Sequence, residues 1–481
     1  MSLAHKTISG VIWNFAEQVG RQGIGLVITL LLARLLTPAD FGLVAMMAVF
    51  LAIGMSLMDS GFKQALIRKE KADQVDCNTA FFANLALGLI SYMLLFLAAP
   101  IIAQFYNEPR LVWLVRAASV AILINAFKVV QSAMLSRDLN FKAQLQASIP
   151  AGLISGGIAV VLASVGYGVW ALVAQMLVAA FLNMVLLWKL QGWRPTLAVS
   201  RESLGSMYGF GYKLFLSGVL DTIFRNLYVV IIARIFTASI AGYYFFAEKI
   251  QEMVISQLVG SIQSVTYPAL ATMQHDNERL KAGYRKVVKV TTFLLFPAMA
   301  LLAALAGPLF SVLLPDKWQP AVPYLQLMCI AGMLYPLHAI NLNVLNVKGR
   351  SDLFLYLEIY KKFVAVVILC ISYRYGVIGI LVGQIVFSVL AYIPNSYFSS
   401  RLINYPVKEQ VADFLPGFIL AGLVALATYW VALLVRWPAF VQLVVLGCFA
   451  GATYLAGAHV LRLQAYVLSR QMMIDRFLAK R

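Results

Sequence analysis

Charged and amide side chains recur at helical spacing inside segments that are otherwise apolar. Asn14, Glu17, Gln18, Arg21 and Gln22 stand three and four residues apart, which gathers them on one face of a helix. Lys213, Ser217, Asp221 and Arg225 form a second such face, Glu248, Glu252, Ser256 and Gln263 with Lys249 a third, and Glu358, Lys361 and Lys362 a fourth. Asn125, Lys128 and Gln131 are matched in the other half of the chain by His338, Asn341 and Asn346, and Arg116 adds a further cation. A charge near the middle of a membrane helix costs roughly 2.5–3.5 kcal/mol, so these side chains must face protein or water. Two kinds of chemistry follow. The cations Arg21, Arg116, Lys128, Arg225, Lys361 and Lys362, with His338 and Asn341 beside them, suit an anionic ligand, above all a phosphate. The carboxylates Glu17, Asp221, Glu248, Glu252 and Glu358 suit ion coupling or gating, because a partly desolvated carboxylate can titrate near neutral pH.

A plainer reading stands beside this one. Glu17 with Arg21, Asp221 with Arg225 and Glu358 with Lys362 are spaced as i,i+4 pairs that would neutralise each other as structural glue. That reading accounts less well for cations with no carboxylate at helical spacing, such as Arg116 and Lys128. Arg34 and Arg234 sit near helix ends, where snorkelling and the helix C-terminus both favour a cation, so they read as anchors as readily as ligands. Arg21 and Asp221 correspond at an offset of 200 residues and carry opposite charge, which suggests that they approach each other in one state of a cycle.

The elements that carry these side chains are membrane helices. The chain is 62% apolar and 12% charged, and apolar runs of about 20 residues recur along it. Segments such as 85–99 and 149–162 are apolar on all faces, which excludes the alternating strands of a barrel. Crossings fall near 10–36, 41–59, 80–104, 111–134, 145–164, 168–188, 208–236, 240–266, 290–314, 321–346, 352–373, 376–397, 412–434 and 439–461, about fourteen in all.

The formal charge of +18 is explained by its distribution along the loops. Of the Lys and Arg residues between these segments and at the ends of the chain, 24 lie in alternate loops and the termini, against four (Arg110, Lys317, Arg374 and Arg436) on the other side. By the positive-inside rule both termini are cytoplasmic, and nucleic acid is not the partner. Cys77, Cys329, Cys370 and Cys448 have no paired spacing, so neither a disulfide framework nor a zinc site is indicated. Glu17 and Arg21 interrupt the first apolar run, which therefore reads as a retained helix rather than a cleaved signal.

The chain also repeats itself. Val27-Ile28-Thr29-Leu30-Leu31-Leu32-Ala33-Arg34-Leu35-Leu36-Thr37 returns as Leu227-Tyr228-Val229-Val230-Ile231-Ile232-Ala233-Arg234-Ile235-Phe236-Thr237. Tyr167-Gly168-Val169 ahead of Gln175 is echoed by Tyr375-Gly376-Val377 ahead of Gln384. Two copies of six helices each begin on the same side, so the repeat is parallel, about an axis along the membrane normal. The expected fold is an all-α polytopic membrane protein with two six-helix lobes in a pseudo-twofold repeat plus two further C-terminal helices. Its parts are a first lobe at 1–190, a cytoplasmic linker at 191–207, a second lobe at 208–400, and helices thirteen and fourteen with an amphipathic cytoplasmic tail at 401–481. Non-cytoplasmic loops of about five residues leave no room for a catalytic domain outside the membrane. No GxxxxGK[ST] loop, HExxH or Cys/His cluster occurs, so ATP drive and metal chemistry are not indicated and no cofactor is called for.

Ala33-Arg34-Leu35-Leu36-Thr37-Pro38-Ala39-Asp40-Phe41-Gly42 and Asp59-Ser60-Gly61-Phe62-Lys63-Gln64-Ala65-Leu66-Ile67-Arg68-Lys69 resemble the start of the polysaccharide transporter family of the MOP flippase superfamily. Leu135-Ser136-Arg137-Asp138-Leu139-Asn140-Phe141-Lys142, Tyr267-Pro268-Ala269-Leu270 and Asp316-Lys317-Trp318-Gln319-Pro320-Ala321-Val322-Pro323 extend the likeness over about residues 3–400. It is nearest to the lipopolysaccharide biosynthesis branch that includes the colanic acid exporter. The resemblance implies a MATE-like, two-lobed bundle in a bacterial inner membrane. It implies that undecaprenyl-pyrophosphate-linked oligosaccharide is flipped to the periplasmic leaflet by alternating access, driven by an ion gradient (H+ or Na+) or the membrane potential. Glycan polymerase and export machinery are the partners implied. The family supplies no short invariant motif, so the site residues rest on the helical faces alone. The alternatives are a cation-coupled multidrug exporter of the same superfamily, for which an acidic cavity is expected, and a membrane glycan polymerase or ligase, for which a large periplasmic loop is expected. A purely structural partner within a glycan assembly complex is a further alternative.

Overall fold

The computed structural model describes residues 3–69 and 72–478, and among these it contains helices and no strand. Asn14, Lys213 and Gln263 lie outside the described side chains. The chain forms two compact units, Met1–Phe245 and Phe246–Arg481.

The first unit contains α1 (Leu3–Leu35), α2 (Pro38–Asp59), α3 (Phe62–Arg68), α4 (Gln74–Tyr106) and α5 (Leu111–Ala126). It continues with α6 (Val129–Arg137), α7 (Phe141–Ser164), α8 (Val169–Leu190), α9 (Arg201–Arg225), α10 (Leu227–Ile235) and the start of α11 (Ala238–Ala271). Helix α1 lies along α7, where Gly20 meets Ile149, Gly152 meets Ile24 and Gly156 meets Ile28, so small residues let the two backbones approach. The core of the unit is a cluster that includes Leu43, Met46, Leu111, Leu114, Val115 and Ile122, contributed by α2 and α5.

The repeated motif ends in the same local device in both copies. Thr37 caps α2 in a capping box with Asp40, its backbone N–H donating to Asp40 Oδ2 at 2.9 Å, and Pro38 opens the helix. At the matching position Thr237 Oγ1 accepts from the backbone N–H of Ile240 at 3.4 Å at the start of α11. The two helix starts then cross at glycines 200 residues apart. A Cβ on Gly42 would stand 1.7 Å from the Ala238 carbonyl oxygen, and one on Gly242 would stand 1.8 Å from that of Pro38. At the far end of α2 a second close approach occurs. Gly61 adopts φ 78°, and a Cβ there would lie 2.7 Å from Gly211 Cα.

Residues 191–200, the first part of the expected linker, are fastened to the start of α4. Gln74 Nε2 donates to the Arg194 carbonyl at 2.7 Å, Asn78 Nδ2 to Thr196 Oγ1 at 2.7 Å, the Thr196 N–H to Asn78 Oδ1 at 3.0 Å and the Ser200 N–H to Thr79 Oγ1 at 3.0 Å. Asp76, almost fully buried, holds Lys69 Nζ at 2.5 Å and the Ser203 hydroxyl. Helix α9 also packs on α2, α3 and α4. The division between the compact units therefore falls within α11, after α9 and α10.

The second unit holds the rest of α11, α12 (Asn277–Ala304), α13 (Ala306–Leu313), α14 (Val322–Gly332), α15 (Tyr335–Val347), α16 (Ser351–Ser372), α17 (Gly376–Ile403), α18 (Val407–Leu434), α19 (Ala439–Val460) and α20 (Gln464–Leu478). Helix α12 packs on α18 and α14, and α20 lies against α12. Its largest sealed side chain among the described residues is Trp318, tilted against Phe246 with ring centroids 4.6 Å apart.

Among the described residues nine spans are long and apolar enough to cross a membrane, and the bent pairs α5–α6 (45°) and α9–α10 (46°) raise this to eleven. One span, Asp352–Ile403, contains both α16 and α17, while α1 and α11 are long helices outside the count that carry the charged faces read from the sequence. The arrangement is compatible with fourteen crossings. The chain is a multi-pass membrane protein.

Candidate functional site

Lys128 stands at a break in the fourth crossing. Helix α5 ends at Ala126 and α6 starts at Val129, with the axis turning by 45° between them. Neither Gly nor Pro causes the break. The Phe127 carbonyl, freed from the helix ladder, accepts Trp188 Nε1 from α8 at 2.8 Å. Lys128 Nζ reaches the same helix and donates to Asn183 Oδ1 at 2.9 Å. Asn183 is neutral, so it orients the ammonium without cancelling its charge. The positive charges of Lys63, on α3, and Arg21, on α1, both act on Lys128. Cations from three parts of the first unit thus act on one another, with Glu17 paired to Arg21 and Asp59 acting on Lys63, and the surplus of positive charge suits an anion. The corresponding crossing of the second unit is also interrupted, between α14 and α15 at Met333 and Leu334.

Of the three pairs anticipated as glue, those on α1 and α9 are formed. Arg21 Nε lies 3.2 Å from Glu17 Oε1, and Arg225 Nη2 lies 2.8 Å from Asp221 Oδ2. Arg21 and Asp221 are therefore each engaged by their own helix neighbour in this structure. Both arginine side chains remain well exposed, at 63% and 70%; the Arg225–Asp221 pair is exposed on both sides and holds its cation only weakly, whereas the Glu17 partner of Arg21 is largely covered, at 16%. Arg225 sits at the second helix break, where α9 gives way to α10 and Asn226 Nδ2 turns back to the Thr222 carbonyl at 2.8 Å. Its counterpart α1 runs unbroken.

Arg116 is placed differently from Lys128. Its Nε donates to the Phe96 carbonyl at 3.3 Å, and its guanidinium lies 4.4 Å from the centroid of the Phe96 ring and 5.2 Å from that of Trp113. Trp113 is 64% exposed, which puts this cation on an aromatic outer flank of the unit. Arg234 lies similarly over Phe105, at 5.5 Å.

In the second unit, Asn341 is sealed at 1% exposure. Its Oδ1 accepts from Tyr284 OH at 2.6 Å and Ser399 Oγ at 2.5 Å, and its Nδ2 donates to the Leu337 carbonyl at 2.8 Å. Gln410 extends this network to Ser399 at 3.4 Å and to the Tyr392 hydroxyl at 3.1 Å. This buried network fixes the packing of α12, α15, α17 and α18 and occupies the Asn341 carbonyl oxygen. His338 joins Ser388 Oγ at 3.4 Å and Asn395 Nδ2 at 3.1 Å, with the charge of Lys361 acting on it. Lys361 in turn bridges Glu358, one residue before the i+4 position held by Lys362. On α11, Glu248 is half-buried beside Lys249, and Glu252 is exposed and acts electrostatically on Lys249.

Two participants escape sequence reading. Lys63 reads as one of several loop cations after the second crossing, but α3 carries it as a half-buried side chain. The apolar residues Phe62, Ala65 and Leu66 around it, all buried, are the signal that this loop is packed. Asn183 is an amide in a largely apolar helix, and its partner is 55 residues away in sequence.

A family model described as polysaccharide biosynthesis protein matches residues 31–323. The chain is 27% identical over 403 residues to the lipopolysaccharide biosynthesis protein WzxC of Escherichia coli, covering 82% of this chain and 81% of that one. It is 29% identical over 333 residues to the succinoglycan biosynthesis transport protein ExoT of Rhizobium meliloti, covering 69% and 67%. The lipid II flippase MurJ, in an inward closed conformation, matches with a TM-score of 0.75 at 14% identity, over 94% of this chain and 99% of that one. An inward-facing multidrug resistance MATE family transporter of the MOP superfamily matches at 0.59 with 19% identity, over 79% and 95%. These structural likenesses establish a shared fold.

Proposed function

Since this chain belongs to the polysaccharide biosynthesis protein family, we propose that it is a flippase that carries a lipid-linked oligosaccharide across the membrane for surface polysaccharide assembly. The observation that carries the reading is the gathering of Lys128, Lys63 and Arg21 within a membrane bundle, where Glu17 pairs with Arg21, Asp59 acts on Lys63 and the neutral Asn183 holds Lys128. The phosphates of a lipid-linked sugar are the natural complement of that charge, and the polyprenyl tail stays in the bilayer while the sugars pass through the bundle. A relative named a succinoglycan biosynthesis transport protein and another named a lipopolysaccharide biosynthesis protein support this class of substrate.

Alternating access then requires the α2–α11 crossing at Gly42 and Gly242, where the first repeat (1–190) meets the second (208–400), to part in one state, with 191–207 as the connection between them. Asp221, Glu248 and Glu252 are the coupling carboxylates we assign, with Glu17 and Glu358 as gating partners and H+ or Na+ as the ion. Arg225, Lys361, Lys362 and His338 are assigned to the headgroup path, and Arg116 to the membrane flank. The excess of basic residues in alternate loops supports an inner-membrane topology with both termini cytoplasmic. The glycan polymerase and export machinery are the partners such a flippase serves. A drug exporter for lipophilic cations is the competing transporter reading, and the cation cluster opposes it.

Purified full-length protein in liposomes separates the two. Translocation of a polyprenyl-pyrophosphate-linked oligosaccharide, with no gradient-driven uptake of a lipophilic cation, is the expected result. The reverse pattern overturns the proposal.

A further inference from the structure

We propose that the cleft enclosed by α12, α18 and the α19–α20 turn is a binding site for a phosphate-bearing anion, supplied by the headgroup of an anionic membrane lipid. The cleft has a volume of about 290 Å³, and its walls include Arg285, Lys289, Arg462, Asp413, Phe293 and Pro416.

The charge balance points to an anion. Asp413 is the one carboxylate of the cleft, and its oxygens are already saturated. They accept Arg285 Nε at 2.7 Å and Nη2 at 2.8 Å, Lys289 Nζ at 3.0 Å and Tyr405 OH at 2.5 Å, which fills the roughly four lone-pair sites of a carboxylate. The nearby Glu409 is taken by Lys281 at 3.0 Å, with Arg285 Nη1 at 4.0 Å. Three cations therefore line the cleft against a single carboxylate. Lys289 is 6% exposed and shares that carboxylate with Arg285, its other partner being the neutral Gln464 Oε1 at 2.5 Å. Its third N–H and the remaining guanidinium N–H groups of Arg285 are the donors left for a ligand. A buried ammonium with half a counter-charge is stabilised by any further anion that reaches it.

The depth of the cleft points to a lipid. Helix α12 carries Arg279, Lys281, Arg285, Lys286 and Lys289 and then becomes apolar from Val290. Helix α18 changes in the same way after Asp413, and α19 ends its apolar run just before Arg462. All three walls pass from charged to apolar at the level of the cleft, which is the signature of the headgroup layer, and Phe293 and Pro416 supply an apolar side for the start of an acyl chain.

The test uses full-length protein in detergent, with native mass spectrometry and thermal unfolding after addition of phosphatidylglycerol, phosphatidylcholine or inorganic phosphate. The expected result is retention of phosphatidylglycerol roughly tenfold over phosphatidylcholine, a 1.4 kcal/mol preference. Arg462→Gln, which leaves the Asp413 contacts in place, should reduce that preference, and Lys289→Gln with Arg462→Gln should abolish it. Lys286→Gln, which removes a charge from the same helix outside the cleft, should leave it unchanged. Equal retention of the two lipids, or a preference that survives Arg462→Gln undiminished, would overturn the proposal. Stabilisation by inorganic phosphate equal to that by phosphatidylglycerol would assign the cleft to a soluble anion and overturn the lipid reading.

Discussion

Replacing Gly242 by alanine places a methyl carbon 1.8 Å from the Pro38 carbonyl oxygen, and Gly42→Ala places one 1.7 Å from that of Ala238. A carbon and an oxygen in ordinary contact stand about 3.2–3.5 Å apart, so either change requires α2 and α11 to separate by more than 1 Å where they cross. Overpacking of this kind typically costs about 1–3 kcal/mol. The cost falls only on the state in which the helices touch, so the population should move 5- to 150-fold toward a separated state. Because both methyl groups demand the same separation, the second substitution should add little, giving strongly sub-additive effects in a double-mutant cycle. The assay is the rate of disulfide formation between Ala39→Cys and Ser239→Cys in membranes, with Gly25→Ala as a control, since a Cβ there meets nothing within 4 Å. Slower cross-linking in each single variant, with little further slowing in the double, is the expected outcome. Unchanged rates, or two fully additive effects, would refute the argument that this crossing must part as a unit.

Three other outcomes follow from the contacts. Asp413→Asn leaves Lys289 buried with no counter-charge, and loss of such a pair should lower unfolding stability by about 3–5 kcal/mol in a denaturation series. Asn78→Ala removes both bonds to Thr196, so limited proteolysis within 191–200 should accelerate and stability should fall by about 1–3 kcal/mol. Lys128→Met should abolish lipid-linked oligosaccharide translocation in liposomes, while Lys128→Arg retains part of it; equal activity in both variants would remove Lys128 from the headgroup path.

The helical pattern was legible because membrane helices obey a length and hydropathy rule that most segments satisfy by themselves, while α1 and α11, which carry charged faces, do not. The repeat was legible because Thr37 and Thr237 perform the same capping task in the same motif. The break at Phe127 and Lys128 was not, because it depends on Trp188 taking a carbonyl 61 residues away. Helical spacing placed Asn341 on a polar face but could not distinguish a wet cavity from the sealed network of Tyr284, Ser399 and Gln410, since both need polar side chains at the same positions. Spacing likewise gave Arg21 its carboxylate partner but not Lys63 as a neighbour of Lys128, because short helix α3 lies in a stretch that composition alone marks as a loop. The cation pair on Asp413 was hidden for a related reason. Its members lie 128 and 124 residues before Asp413, and only the packing of α12 on α18 joins them to it.

The proposed function stands most directly on anion binding at Lys128 and its neighbouring cations. Lys128, Arg21 and Lys63 can each be changed singly to cysteine and treated with a membrane-impermeant thiol reagent, with and without a polyprenyl-pyrophosphate-linked oligosaccharide. The account predicts that the cysteines are modified and that the lipid-linked sugar protects them, whereas the same sugar without its pyrophosphate does not. Failure of all three to react in any condition, or reaction that the pyrophosphate-linked substrate leaves unchanged, would contradict it.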